Sequence, residues 1–180
     1  EAELCATVEA EGAALLKNEN NALPLASGAK VSLFGHGSVD LMYGGTGSGS
    51  VDTSKAPNLK QALEAQGITI NQTLWDLYSS DSMMSKYSRM TPASISDTLE
   101  ANTQYAVNEA PWSALSSAES SFAEYGDAAI VVLSRSGGEG ADLPSGENGT
   151  SDNWISGQEG DGNYLALSAE EVALLQNLKA

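Results

Sequence analysis

Residues 127–133 read Asp-Ala-Ala-Ile-Val-Val-Leu, and this stretch decides the fold class. Its apolar residues follow one another without polar alternation, which is typical of a central strand in a parallel sheet with both faces covered. Shorter strands are predicted at Lys30–Phe34 and Ile68–Ile70, with a further candidate at Gln104–Val107. The sequence therefore predicts a sheet whose strands are separated by long connections.

Helical patterns occupy those connections. The capping box Ser168-x-x-Glu171 opens the last of them, with Val172, Leu175 and Leu178 as its apolar face. The other predicted helices are residues 2–17, Pro57–Gln66, Thr73–Tyr87 and Pro111–Tyr125. Strands that alternate with helices indicate a three-layer α/β/α sandwich with a mainly parallel sheet, formed by residues 1–180 as a single domain.

The helical spacing of apolar residues continues to the last residues of the sequence, Gln176–Ala180. We therefore expect a fragment of a larger protein, with the later strands of the domain missing. Such a truncated sheet has an exposed edge, which could pair with a second copy of the chain.

Charge and composition narrow the class of partner. The formal net charge is −16, from 24 acidic and 8 basic residues, which argues against nucleic acid and anionic membranes as partners. No apolar run approaches the roughly 20 residues of a membrane span. A single histidine and a single cysteine rule out a multi-histidine metal site and an internal disulfide. We predict no metal and no cofactor, and the sequence does not indicate a cellular location.

A glycine-rich segment follows the first strand, comprising Gly35-His36-Gly37 and the loop Tyr43–Gly49. It does not fit a nucleotide-binding loop, because no Gly-Lys-Ser/Thr follows and Asp40 takes the place of the last glycine of a dinucleotide fingerprint. Two interpretations stay open, a flexible turn or a close approach of the backbone to a ligand. His36 has no assigned carboxylate partner and is interpreted as a polar residue at a strand end.

A second glycine-rich loop follows the clearest strand and carries Glu139 between glycines. A lone loop glutamate is usually a solvated carboxylate. Three features favour a functional role for Glu139: the buried strand before it, the glycines beside it, and Asp142. The like charge of Asp142 would raise a carboxyl pKa toward that of a general acid, and Arg135 could oppose this effect. Spacing alone does not decide between these interpretations.

Several unrelated motifs occur in an order that resembles glycoside hydrolase family 3, and they are spread over most of the chain. The loop Tyr43–Gly49 is similar to a "Y-x-GGTGSG" motif of one branch of β-glucosidases. Ile130–Asp142 is similar to that branch's "IVV-x-x-R-x-x-GEG-x-D" strand and loop. The remaining similar segments are Glu9–Glu19, Ala22–Leu25, Lys30–Gly37, Leu74–Tyr78, Asn108–Trp112 and Gly162–Glu171.

The resemblance implies that this chain is the front part of the family's second, α/β domain, with Glu139 as the catalytic acid/base. The nucleophilic Asp would lie in a (β/α)8 barrel domain of the same polypeptide, which this sequence lacks, so the fragment alone is expected to be inactive. The implied substrate is a β-glucoside or a related oligosaccharide, hydrolysed with retention of configuration. The implied substrate-binding residues are Tyr43, Gly44, Gly45, Thr46, Gly47 and Asp142.

One departure from the pattern is Leu143, where this branch usually has an arginine after the Asp. An alternative of a different class also stays open, a carbohydrate-binding or assembly domain without chemistry. A nucleotide-binding α/β domain is a third and less favoured interpretation. An adjoining barrel with its Asp would favour the enzyme, and a standalone chain that binds sugar would favour the binding domain.

Overall fold

The computed structural model describes residues 2–44, 48, 52–87, 108–135 and 166–179. Its described strands are β1 (Lys30–Phe34), β2 (Thr69–Ile70) and β3 (Ala128–Val131), and they form one parallel sheet in the order β2-β1-β3. The α/β class and the parallel sheet are confirmed. The central strand among those described is β1, whereas residues 127–133 were predicted to be central; β3 lies beside β1 at one side.

The pairing register places the strand ends side by side. Val31 pairs with Ala128 and Phe34 with Val131, so β1 and β3 run together and end together. Strand β2 pairs with the start of β1. Because the strands are parallel, the chain leaves β1 and β3 at the same edge of the sheet.

Both faces of the sheet are covered, as expected for three layers. Alternate side chains of β1 point to opposite faces. Val31 and Leu33 pack with helix α2 (Leu59–Ala65) through Leu59 and Leu63. Phe34 lies on the other face, in a cluster formed by Leu74, Tyr78, Met83, Ala110, Leu115, Ala118 and Leu174.

The predicted helix Thr73–Tyr87 is two helices, α3 (Gln72–Tyr78) and α4 (Asp81–Tyr87). The break lies at Ser80, whose hydroxyl accepts a hydrogen bond from the Met83 N–H at 3.3 Å and donates one to the Leu77 carbonyl at 2.7 Å. A serine that bonds the backbone on both sides competes with a continuous helix. Helix α2 begins later than predicted, because Asn58 caps it and Pro57 precedes the cap.

The prediction of one α-helix over Pro111–Tyr125 is also wrong. The segment forms two short 3₁₀ helices, Trp112–Leu115 and Glu119–Ser121. The apolar side chains still face the core, where Leu115 and Ala118 are buried and Trp112 and Phe122 pack against them. A spacing of three to four residues suits both kinds of helix, so the pattern gave the buried face and not the helix type.

The capping box at the last helix, α5 (Ala169–Lys179), is confirmed. The Glu171 N–H donates to the Ser168 hydroxyl at 3.1 Å, and the Ser168 N–H donates to the Glu171 carboxylate at 2.8 Å. The buried face differs from the predicted one, since Leu174 is buried and Val172 is 37% exposed.

Helix α1 (Ala2–Gly12) ends five residues before the predicted end at Lys17. Glycine is a poor helix former, which accounts for an end at Gly12. The apolar side chains of the predicted stripe are exposed, with Leu4 at 68%, Val8 at 64%, Leu15 at 66% and Leu16 at 94%. Within the described parts of the chain, no helix has the length and apolar character needed to cross a bilayer.

Candidate functional site

The edge of the sheet where β1 and β3 end is closely packed, and glycines make this possible. Gly35 has a positive φ of 84°, and a Cβ there would lie 2.9 Å from the Val132 carbonyl oxygen. A Cβ on Gly37 would lie 2.8 Å from the same oxygen and 3.5 Å from the Ser134 hydroxyl. The two distances to the Val132 carbonyl oxygen are too short for a Cβ atom. Glycine at positions 35 and 37 therefore allows the segments after β1 and β3 to approach each other.

His36, between these glycines, has a buried carboxylate partner. One oxygen of Glu109 accepts the His36 backbone N–H at 2.9 Å and contacts the imidazole Nδ1 at 3.1 Å. The other oxygen accepts the Ala110 N–H at 2.9 Å. Because an ionised carboxylate only accepts, Nδ1 is assigned as the proton donor. The side chains of His36 and Glu109 are 4% and 1% exposed, so the pair is buried where β1 ends.

The sequence prediction left His36 without a partner, and the structure corrects this. The two residues are 73 positions apart, a separation that no local pattern bridges. The signal in the sequence is the family-like segment Asn108–Trp112, which contains Glu109. Within the described residues the imidazole Nε2 has no hydrogen-bond partner, and the same is true of the buried hydroxyls of Ser38 and Ser134.

Tyr78 of α3 completes this polar cluster. Its hydroxyl accepts the Gly35 N–H at 3.1 Å, and the residue is 2% exposed. Burial raises the pKa of Tyr78 well above its usual range, and the nearby Glu109 carboxylate adds to that rise, while the hydrogen bond from Gly35 opposes it. The phenol therefore stays protonated in the folded protein.

Replacing Tyr78 with Phe is expected to lower the free energy of unfolding at pH 7 by about 1–3 kcal/mol, because the buried Gly35 N–H loses its acceptor. The native pKa lies above the unfolded value of about 10, so Tyr78 contributes stability that is present below pH 10 and is lost as the pH rises through the native pKa. The free energy of unfolding of the Tyr78→Phe variant should therefore decrease less at alkaline pH than that of the wild type. Urea unfolding at neutral and alkaline pH measures both effects. An equal decrease in the free energy of unfolding of variant and wild type at alkaline pH would contradict the role of the Tyr78 pKa.

Arg135, just after β3, forms an ion pair at this edge. Its guanidinium donates to both carboxylate oxygens of Glu171, at 2.8 and 2.7 Å, and to the carbonyls of Ala166 at 2.6 Å and Ser134 at 3.1 Å. The side chains of Arg135 and Glu171 are 15% and 1% exposed. The predicted opposition of Arg135 to the charge of Asp142 stays a prediction, because Asp142 lies outside the described residues; the described partner of the guanidinium is the Glu171 carboxylate.

The predicted substrate-binding loop is described in part. Tyr43 is 41% exposed, and its hydroxyl donates to the Pro57 carbonyl at 3.0 Å, which ties the start of the loop to the chain before α2. Gly44 is exposed. The other predicted site residues, Gly45, Thr46, Gly47, Glu139 and Asp142, lie outside the described residues, as does the candidate strand Gln104–Val107. In the parts of the chain that are described, no three His, Cys, Asp or Glu residues are grouped as a metal site would need.

Known proteins resemble this chain along most of its length. Residues 13–180 match the family described as Glycosyl hydrolase family 3 C-terminal domain. Beta-glucosidase A of Butyrivibrio fibrisolvens is 34% identical over 146 residues, which cover 78% of this chain and 15% of that protein. The solved structure of a β-glucosidase from Paenibacillus barengoltzii superposes with a TM-score of 0.64 at 25% identity, over 98% of this chain and 17% of that one.

This chain thus spans less than a fifth of the length of either relative. The match extends over residues 13–180, which hold the sheet, both glycine-rich loops and the buried pairs at the strand ends. The chain belongs to the glycosyl hydrolase family 3 C-terminal domain family.

Proposed function

We propose that this chain is the acid/base-bearing part of a retaining β-glucosidase, with Glu139 as the acid/base. The full-length protein would remove terminal β-linked glucose or a related sugar. Membership in the family and the similarity to two proteins described as β-glucosidases support the class of reaction. The assignment of Glu139 as the acid/base rests on the "GEG-x-D" pattern, which residues 138–142 match.

The observation that carries the proposal is the parallel pairing of β1 with β3. Phe34 and Val131 are paired, so the segments that lead to the Tyr43 loop and to Glu139 leave the same edge of the sheet from neighbouring strands. Sites in open parallel sheets form at this edge. The segment with the acid/base and the loop that contacts the sugar must both reach one active site. Neighbouring strands that end at the same edge of the sheet make this possible.

The reaction needs a second carboxylate, an Asp nucleophile supplied by a barrel domain of the same polypeptide. The Asp would attack the anomeric carbon while Glu139 gives its proton to the departing oxygen. Glu139 would then take a proton from water, which releases the sugar from the glycosyl-enzyme. Retention by this route requires the two carboxyl groups to be about 5–5.5 Å apart.

The loop Tyr43–Gly47 and Asp142 are proposed to contact the substrate. Tyr43 has an anchored hydroxyl and a partly exposed ring, so its ring could pack on the apolar face of a sugar. Glycines at 44, 45 and 47 would allow the sugar to approach the backbone. Asp142 would accept hydrogen bonds from hydroxyl groups and add negative charge beside Glu139.

The stereochemistry of hydrolysis tests this function in the full-length protein. We expect the first sugar released from an aryl β-glucoside to be the β-anomer, because two successive displacements restore the original configuration. Proton NMR during the first minutes distinguishes the anomers before they interconvert. Release of the α-anomer first, or no hydrolysis of any β-glycoside, would reject the retaining β-glycosidase.

A further inference from the structure

Glu171 holds together three parts of the chain at the edge of the sheet. It pairs through both oxygens with the Arg135 guanidinium, and it also accepts the Ser168 N–H that begins α5. The guanidinium in turn donates to the Ala166 carbonyl at 2.6 Å. We call the group Ser134, Arg135, Ala166, Ser168 and Glu171 the Arg135 clamp.

The clamp is attached to the buried core. Glu171 is 1% exposed, and Leu174, one turn further along α5, is fully buried in the cluster around Phe34. A bidentate pair between a planar guanidinium and a carboxylate fixes direction as well as distance. The position of the Arg135 side chain is therefore defined by the core.

The clamp joins the two ends of the segment that carries the proposed acid/base. Arg135 follows β3, Ala166 precedes α5, and Glu139 is four residues after Arg135 in the sequence. Four residues of chain span at most about 14 Å, so the geometry at Arg135 limits where the Glu139 carboxyl can be placed.

We propose that Arg135 is a positioning residue for the acid/base, acting through its bidentate pair with Glu171 and its bond to Ala166. This rests on the proposed function of Glu139. The Arg135 guanidinium makes two hydrogen bonds to the Glu171 carboxylate, and the proposed role is geometric: the clamp fixes the direction in which the chain leaves β3. A misplacement of a catalytic group by about 1 Å can cost about 10²-fold in rate.

Arg135→Lys in the full-length enzyme separates geometry from charge, because lysine keeps the charge and loses the planar fork. We expect kcat/KM to fall about 10²-fold for phenyl β-glucoside, whose leaving group needs the proton from Glu139. For 2,4-dinitrophenyl β-glucoside, whose leaving group departs without that proton, kcat/KM should fall less than about 3-fold, since a correctly folded enzyme retains the first chemical step. Glu171→Gln should show the same split.

The matched control is Glu119→Gln, which changes an exposed carboxylate outside the clamp. It should leave kcat/KM for both substrates within about 2-fold of wild type, because substitution of an exposed residue outside the clamp disturbs little. Turnover of the dinitrophenyl substrate also reports the folded fraction of each variant. Equal losses on both substrates in Arg135→Lys and Glu171→Gln, or no loss on either, would overturn the positioning role.

A parallel Glu139→Ala variant distinguishes this inference from the proposed function. If Glu139→Ala shows the leaving-group split and the clamp variants do not, the acid/base assignment stands and the positioning role is rejected. If Glu139→Ala shows no split, both proposals fall, since there is then no acid at position 139 to be positioned.

Discussion

Glu139→Ala in the full-length enzyme is expected to lower kcat/KM for phenyl β-glucoside by about 10²–10⁴-fold, the usual contribution of a general acid. The phenolate is a poor leaving group, so cleavage of the glycosidic bond depends on proton donation in the transition state. For the dinitrophenyl β-glucoside, bond cleavage needs little protonation, and kcat/KM should change far less.

The same variant should be slow in the second step for every substrate. Water attacks the glycosyl-enzyme only weakly without a base, so kcat for the dinitrophenyl substrate should fall while its KM falls with it. Steady-state kinetics with both substrates provides the measurement. Glu147→Ala changes another carboxylate of the same segment and serves as the control, with both substrates close to wild type. Small and equal losses in Glu139→Ala would remove the assignment.

Glu109→Ala should have the largest effect on stability, about 3–5 kcal/mol in the free energy of unfolding. The change leaves the backbone N–H groups of His36 and Ala110 and the imidazole of His36 without their buried acceptor. Each buried donor that loses its acceptor costs about 1–3 kcal/mol, and three donors are affected, so a total of about 3–5 kcal/mol is expected. Urea unfolding should show a lower midpoint with an unchanged slope, because the exposed surface stays the same.

Two further variants define the cause of that loss. Glu109→Gln keeps the shape and replaces one acceptor oxygen with a donor, so it should lose about 1–3 kcal/mol. Glu119→Ala removes an exposed glutamate and should stay within about 0.5 kcal/mol of wild type. If Glu109→Ala were no less stable than Glu119→Ala, the buried pair would have no part in holding the strand end.

Local patterns predicted much of the fold. The strand Lys30–Phe34 was predicted with its observed bounds, and the Ser168–Glu171 capping box forms as expected. Both depend on neighbouring residues, where periodicity and capping chemistry act directly. The division at Ser80 and the 3₁₀ helices after Pro111 were missed, because apolar spacing does not register a hydroxyl that bonds the backbone or a change of helix type.

The polar contacts of the candidate site could not be predicted from such patterns. Glu109 meets His36 across 73 positions and Arg135 meets Glu171 across 36, and both contacts depend on how the chain returns to the same edge of the sheet. The glycine-rich segment left open a flexible turn or an approach to a ligand, whereas Gly35 and Gly37 approach the Val132 carbonyl. Glu139 came from the family resemblance, since a lone loop glutamate carries no sign of its role.

Azide added to the Glu139→Ala enzyme provides the most direct test of the central claim, that the carboxyl at position 139 delivers and removes the proton. Azide is a nucleophile that needs no base, and loss of the side chain leaves room for it beside the glycosyl-enzyme. The account predicts that azide restores turnover of the dinitrophenyl substrate and that the product is β-glucosyl azide. Unchanged turnover with azide, and glucose as the only product, would contradict it.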